Sequence, residues 1–145
     1  MNLSFRLQTL LNWKKGLEEQ SRIILARKIE ELKKKEEEIQ KLIYKRLNYY
    51  QELNKKLKEG IQSEEYIIYQ NFDMQSYEDL VVQKAYKNDK ENEVEEERRK
   101  LVNLIKERKI LERLKEKKLR KMIYQQEKNE QKLIDEVTIF KKNFK

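Results

Sequence analysis

From Leu25 to Leu57, stepping alternately by four and three residues meets Leu25, Ile29, Leu32, Glu36, Ile39, Ile43, Arg46, Tyr50, Leu53 and Leu57. Eight of these ten positions are apolar, counting Tyr50, while the residues between them are mostly Lys, Glu, Gln and Asn. So narrow a seam is the heptad pattern of a coiled coil. A lone helix would leave it wet, and the only other long helical stretch is the C-terminal half, so the pattern predicts a helical hairpin. Leu3, Leu7, Leu10, Lys14, Leu17 and Ser21 carry the seam upstream, and the step of four from Ser21 to Leu25, where three is due, predicts a stutter.

The expected layout is all-α: one coiled-coil domain over residues 1–145, as an antiparallel two-helix hairpin. Helix one covers about 4–58 and ends at Glu59-Gly60, where glycine suits a left-handed cap behind Lys55, Lys56 and Lys58. A turn over about 60–75 is expected to hold a short helix, opened by Ser63-Glu64-Glu65 and carrying Tyr66, Ile67, Ile68, Tyr69 and Phe72. Ser76 with Asp79 fits a capping box that starts helix two, over about 76–140. Pairing from that turn sets Leu57 near Tyr86 and the N-terminal leucines near Leu133–Phe140, with both termini at one tip. Leu111, Met122, Leu133 and Phe144 recur every eleven residues, which predicts loose, weakly supercoiled pairing. The seam predicts Ile39 and Ile43 buried and Lys41 exposed.

Composition narrows the function. With 37% apolar and 43% charged residues the chain can bury a stripe rather than a broad core, and with no proline and two glycines little interrupts its helices. The absence of cysteine and histidine removes thiolate nucleophiles, imidazole bases and the usual zinc ligands, so neither an enzyme nor a cofactor-binding protein is expected. The carboxylates Glu130, Asp135 and Glu136 read as surface charges, because nothing predicts a cleft around them. No apolar run approaches the roughly 20 residues of a bilayer span, and a cytoplasmic protein without membrane insertion is expected.

The formal net charge is +8. Its excess is focused: residues 106–121 hold nine Lys or Arg against three Glu, whereas residues 87–99 hold four basic against six acidic side chains. Focused positive charge suits an acidic partner, although a solvated helix face is the plainer alternative. Nucleic acid is the poorer reading, since no recognised binding module accompanies the charge. Leu42 and Tyr49, seven apart and one place off the predicted seam, form a short second stripe beside Phe72 at the closed end. They are candidates for an exposed docking patch, against the alternative that they finish the turn by packing together.

Taken in order, Phe5-Arg6-Leu7-Gln8-Thr9-Leu10-Leu11, Gly60, Tyr69-Gln70-Asn71-Phe72, the run from Arg108 to Lys117 and Glu130-Gln131-Lys132-Leu133-Ile134-Asp135-Glu136 resemble the flagellar type III export protein FliJ family over the whole length. The chain departs from that pattern by an extra residue between Phe72 and Tyr77. The resemblance implies a non-enzymatic cytoplasmic component, associated peripherally with the inner-membrane face of the flagellar basal body and similar to the central stalk of rotary ATPases. The implied partners are the hexameric export ATPase, the export-gate membrane protein and export chaperones. By position, Leu42, Tyr49 and Phe72 match the gate-binding surface. The basic run suggests Lys115, Lys117, Lys118 and Lys121 for the ATPase. The stalk of a virulence-type secretion system and a basic coiled-coil nucleic-acid binder remain the alternatives.

Overall fold

The structure is a computed structural model that describes residues 3–143, with side chains from Arg6 to Asn143. Phe144 of the eleven-residue recurrence and the side chains of Leu3 and Phe5 lie outside the described residues. Two helices pack antiparallel as a hairpin: α1, Leu3–Glu59, and α2, Ser63–Asn143. Gly60 ends α1 with φ 97°, the left-handed conformation that costs a residue without a Cβ least.

The expected short turn helix is not there, and α2 starts at Ser63 rather than Ser76. No glycine or proline stands between those residues, so nothing stops a helix once it begins. The Tyr66 amide donates to the Gln62 carbonyl at 3.0 Å and closes the first turn. Ser76 caps nothing. It is buried within α2, and its hydroxyl bonds the Asp73 carbonyl at 3.2 Å, the usual recourse of a serine inside a helix.

Two compact units can be described. The first comprises Ser21–Lys100, and the second Met1–Gln20 with Leu101–Lys145. In the first, α1 turns Ser21, Leu25, Lys28, Leu32, Lys35, Ile39, Leu42, Arg46, Tyr49, Leu53 and Lys56 inward. The step of four and three is kept throughout, but half the positions sit one residue before the predicted ones. Ile39 is 4% exposed and Lys41 is exposed, as expected, whereas Ile29, Ile43, Tyr50 and Leu57 face outward. The Ser21-to-Leu25 step of four is regular in this register, so the predicted stutter disappears. The lysines explain the difference. Lys28 and Lys35 lay their methylene stems along the pair and extend their ammonium groups to Glu93 (3.1 Å) and Gln83 (2.7 Å) of α2.

The second unit repeats this arrangement with Leu7, Leu11, Lys14 and Glu18 on α1. Leu11 is buried there, Lys14 bonds Glu107 at 2.5 Å, and Lys115 bonds Gln8. Lys56 meets Glu65 at the closed end. These pairs overturn the predicted pairings of Leu57 with Tyr86 and of the N-terminal leucines with Leu133–Phe140. A three-residue loop leaves α2, with 81 residues, to outrun α1, with 57. The described start of α1 and end of α2 therefore do not share a tip, and the terminal residues themselves lie outside the described ones. Beyond Lys118 every described residue is exposed, including Met122 and Leu133, so the eleven-residue recurrence marks no buried seam.

Candidate functional sites at the closed end and on the basic run

At the closed end, α1 presents Leu42, Arg46 and Tyr49 to the first turns of α2. Leu42, Tyr49 and Phe72 are all half-buried. Leu42 and Tyr49 belong to the seam itself, contrary to their predicted place beside it, because the register shift brings them inward. The Tyr49 ring lies 3.9 Å from that of Phe72 and 4.7 Å from that of buried Tyr69, tilted by 32° and 49°. Tilted rings at such separations add stabilisation beyond their buried area.

Cations surround these rings. Lys45 Nζ stands 5.6 Å from the Phe72 centroid, Lys56 Nζ 5.4 Å from Tyr69, and the Arg46 guanidinium 5.4 Å from Tyr77. Arg46 Nη2 also donates to Asp73 Oδ1 at 2.9 Å, whereas Arg46 Nη1 is buried without a hydrogen-bond partner. The Lys56 ammonium is held well above its ordinary pKa, first by its bond to Glu65 and next by Tyr69. The arrangement is a half-open groove lined by Arg46, Tyr49, Tyr50, Tyr66, Phe72 and Asp73 among others. It offers aromatic faces and one charged pair but no acid–base constellation. The sequence reading placed Arg46 on the seam and Tyr69 in the turn segment without giving either a role here, and it missed Asp73; the available signal for the Arg46–Asp73 pair was a polar residue at an inner heptad position facing a polar residue on the other helix.

On the basic run the three glutamates are all engaged. Glu107 takes Lys14, Glu112 takes Arg108, and Glu116 takes Arg120 at 2.6 Å. Arg108 also reaches across to Glu18, which is 3% exposed, with Nε 2.5 Å from the carboxylate. That bond, and then the one to Glu112, raise the arginine's pKa above its already high ordinary value. Lys117, Lys118 and Lys121 make no ion pair among the described residues. Their spacing of three and four residues puts them on one helix face. Lys115 stands apart, turned toward Gln8 of α1. The structure thus gathers three of the four predicted lysines and separates the fourth.

A helical hairpin with polar inner positions, an aromatic closed end and a basic stretch on α2 has the make-up of an assembly component. The family model described as Flagellar FliJ protein matches residues 3–143. The chain belongs to the FliJ family. Nothing among curated proteins or solved structures matches it. FliJ proteins are non-catalytic components of the flagellar type III export apparatus and form the stalk of its ATPase. Family membership accounts for a fold built as one long paired surface. No helix among the described residues is long and apolar enough to cross a membrane.

Proposed function

We propose that this chain couples the hexameric export ATPase to the export-gate membrane protein, with opposite ends of the hairpin given to the two partners, and that it assists export chaperones from a cytoplasmic position at the inner-membrane face of the basal body. The observation that carries the ATPase assignment is the pairing of charges on the basic run. Its glutamates are occupied by neighbours, and Lys117, half-buried Lys118 and Lys121 stand without an ion pair among the described residues where the paired part of α2 ends. Lys115 joins them by exchanging its contact with Gln8 for an acidic group of the ring. A ring lined with carboxylates would meet these cations through many shallow contacts, each screened at physiological salt over about 8 Å. Leu42, Tyr49 and Phe72 serve the gate through the exposed halves of their side chains, with Tyr69 fixing the rings from below.

The test replaces Lys115, Lys117, Lys118 and Lys121 together by Glu and measures affinity for the ATPase and for the gate side by side. ATPase binding and stimulation should fall, added salt should weaken the native complex, and gate binding should survive both. Unchanged ATPase binding would leave the run a solvated face. Equal loss of both partners would point to one shared site.

A further inference from the structure

Within Ser21–Lys100, α1 turns four cations inward, and three of them reach a polar partner on α2. Lys28 meets Glu93, Lys35 meets Gln83, and Lys56 meets Glu65. Arg46 differs from all three. Its Nη2 donates to Asp73 Oδ1 at 2.9 Å, but its Nη1 is buried and has no acceptor. The guanidinium is thus held by one arm of its fork, on a carboxylate side chain that is 72% exposed.

Closing the seam does not account for an arginine at this position. The planar fork is matched by a carboxylate that accepts two parallel N–H···O bonds, and a buried donor without an acceptor costs stability. A pair with so exposed a partner offsets little of that cost. The surroundings point to an acceptor from outside. The groove beside Arg46 is lined by five aromatic residues, Tyr50 and Phe72 among them, and its charged lining residues are Arg46 and Asp73. The Tyr77 ring lies 5.4 Å from the guanidinium carbon and is itself exposed. The Asp73 side chain has no second hydrogen bond among the described residues, so it can swing into water by breaking one. That leaves a single cation in an otherwise neutral, aromatic groove, which one incoming carboxylate would neutralise.

We propose that Arg46 is a specificity residue of the gate site, and that an Asp or Glu side chain on the gate's docking segment displaces Asp73 and accepts from both arms of the fork. Asp73 holds the place in the free protein. As it leaves, the guanidinium turns and brings Nη1 to the groove, while an apolar neighbour of the incoming acid lies on the rings of Tyr50 and Phe72. The inference rests on the assignment of Leu42, Tyr49 and Phe72 to the gate, and adds the charge that the gate must bring.

The test measures affinity of the full chain for the detergent-solubilised gate protein, in native form and as Arg46→Lys, Asp73→Asn and Phe72→Ala. Lysine keeps the charge and suits an inner position, as Lys35 and Lys56 show, so helical circular dichroism should be unchanged; it cannot form the two parallel bonds. Arg46→Lys should bind the gate roughly tenfold more weakly, the loss of one charge-assisted bond. Asp73→Asn should bind several-fold more tightly, because no internal carboxylate competes for the fork. Phe72→Ala should weaken binding as the gate assignment requires. Weakening by Phe72→Ala with native affinity in Arg46→Lys would overturn the role of Arg46 and leave the gate assignment standing. Weaker binding by Asp73→Asn would overturn the exchange and make the Arg46–Asp73 pair itself the feature the gate reads. Native affinity in Phe72→Ala would refute the gate assignment and the inference with it.

Discussion

Ile39 and Ile43 are four residues apart, both would be seam residues on apolar spacing alone, and the structure treats them oppositely: 4% of Ile39 is exposed and 37% of Ile43. Replacing each by Asp measures that difference. At Ile39 the change removes three carbons' worth of buried hydrocarbon, roughly 2.4 kcal/mol at about 0.8 kcal/mol per methylene. It also leaves a carboxyl against Leu42 and α2 that must be desolvated or protonated, adding about 2 kcal/mol or more. The sum, about 4 kcal/mol or higher, corresponds to a melting temperature lower by roughly 10–15 °C for a chain of this size. At Ile43 about two thirds of the hydrocarbon is lost but the carboxylate stays in water, so the cost is about 1.5 kcal/mol and the shift roughly 3–6 °C. Thermal unfolding followed at 222 nm reads both values. Equal losses would refute the register, and a larger loss at Ile43 would restore the one that apolar spacing predicts.

The Glu18–Arg108 pair should matter more than an exposed one: Arg108→Ala takes the guanidinium bond from a buried carboxylate and should lower the midpoint of urea unfolding further than Arg120→Ala does. The Glu31 carboxyl is held below its ordinary pKa, chiefly by the hydrogen bond from Lys90 and against the smaller opposing effect of burial. A depressed carboxylate stabilises the fold above its unfolded pKa and loses that contribution as pH falls through the folded value. The melting temperature should therefore decline from pH 6 to pH 3, and less steeply in Glu31→Gln. Removing residues 125–145 should leave the melting temperature within a few degrees, because those described side chains are exposed; a large drop would show that the overhang supports the pair.

The two helices were legible because nothing in the chain opposes them: proline is absent, and Gly60, the left-handed stop, stands where the lysines end α1. The register was not legible from apolar residues. A two-helix seam is so open that Lys28, Lys35 and Lys56 occupy inner positions by extending their charged ends to water or to α2, while Ile29, Ile43 and Leu57 remain outside at modest cost. Counting hydrocarbon therefore chose the wrong alternate positions and made Leu42 and Tyr49 look peripheral. The turn failed for a different reason. Ser63 and Ser76 both carry helix-start signals, but a start signal acts only where a helix has first been broken, and no residue between them breaks one. That single error displaced every predicted pairing and hid the unpaired end of α2. The lysine cluster was readable in composition, whereas the turning of Lys115 toward Gln8 was not, because only the fold brings those two residues together.

The claim that the two ends serve different partners is tested most directly by site-specific cross-linking. A photo-reactive residue at position 121, where exposed Lys121 stands beyond the paired part of α2, and another at position 72, in place of Phe72, would be activated separately in an assembled export apparatus. The account predicts an adduct with the ATPase from position 121 and with the gate protein from position 72. The reverse assignment, or one protein captured from both positions, would contradict it.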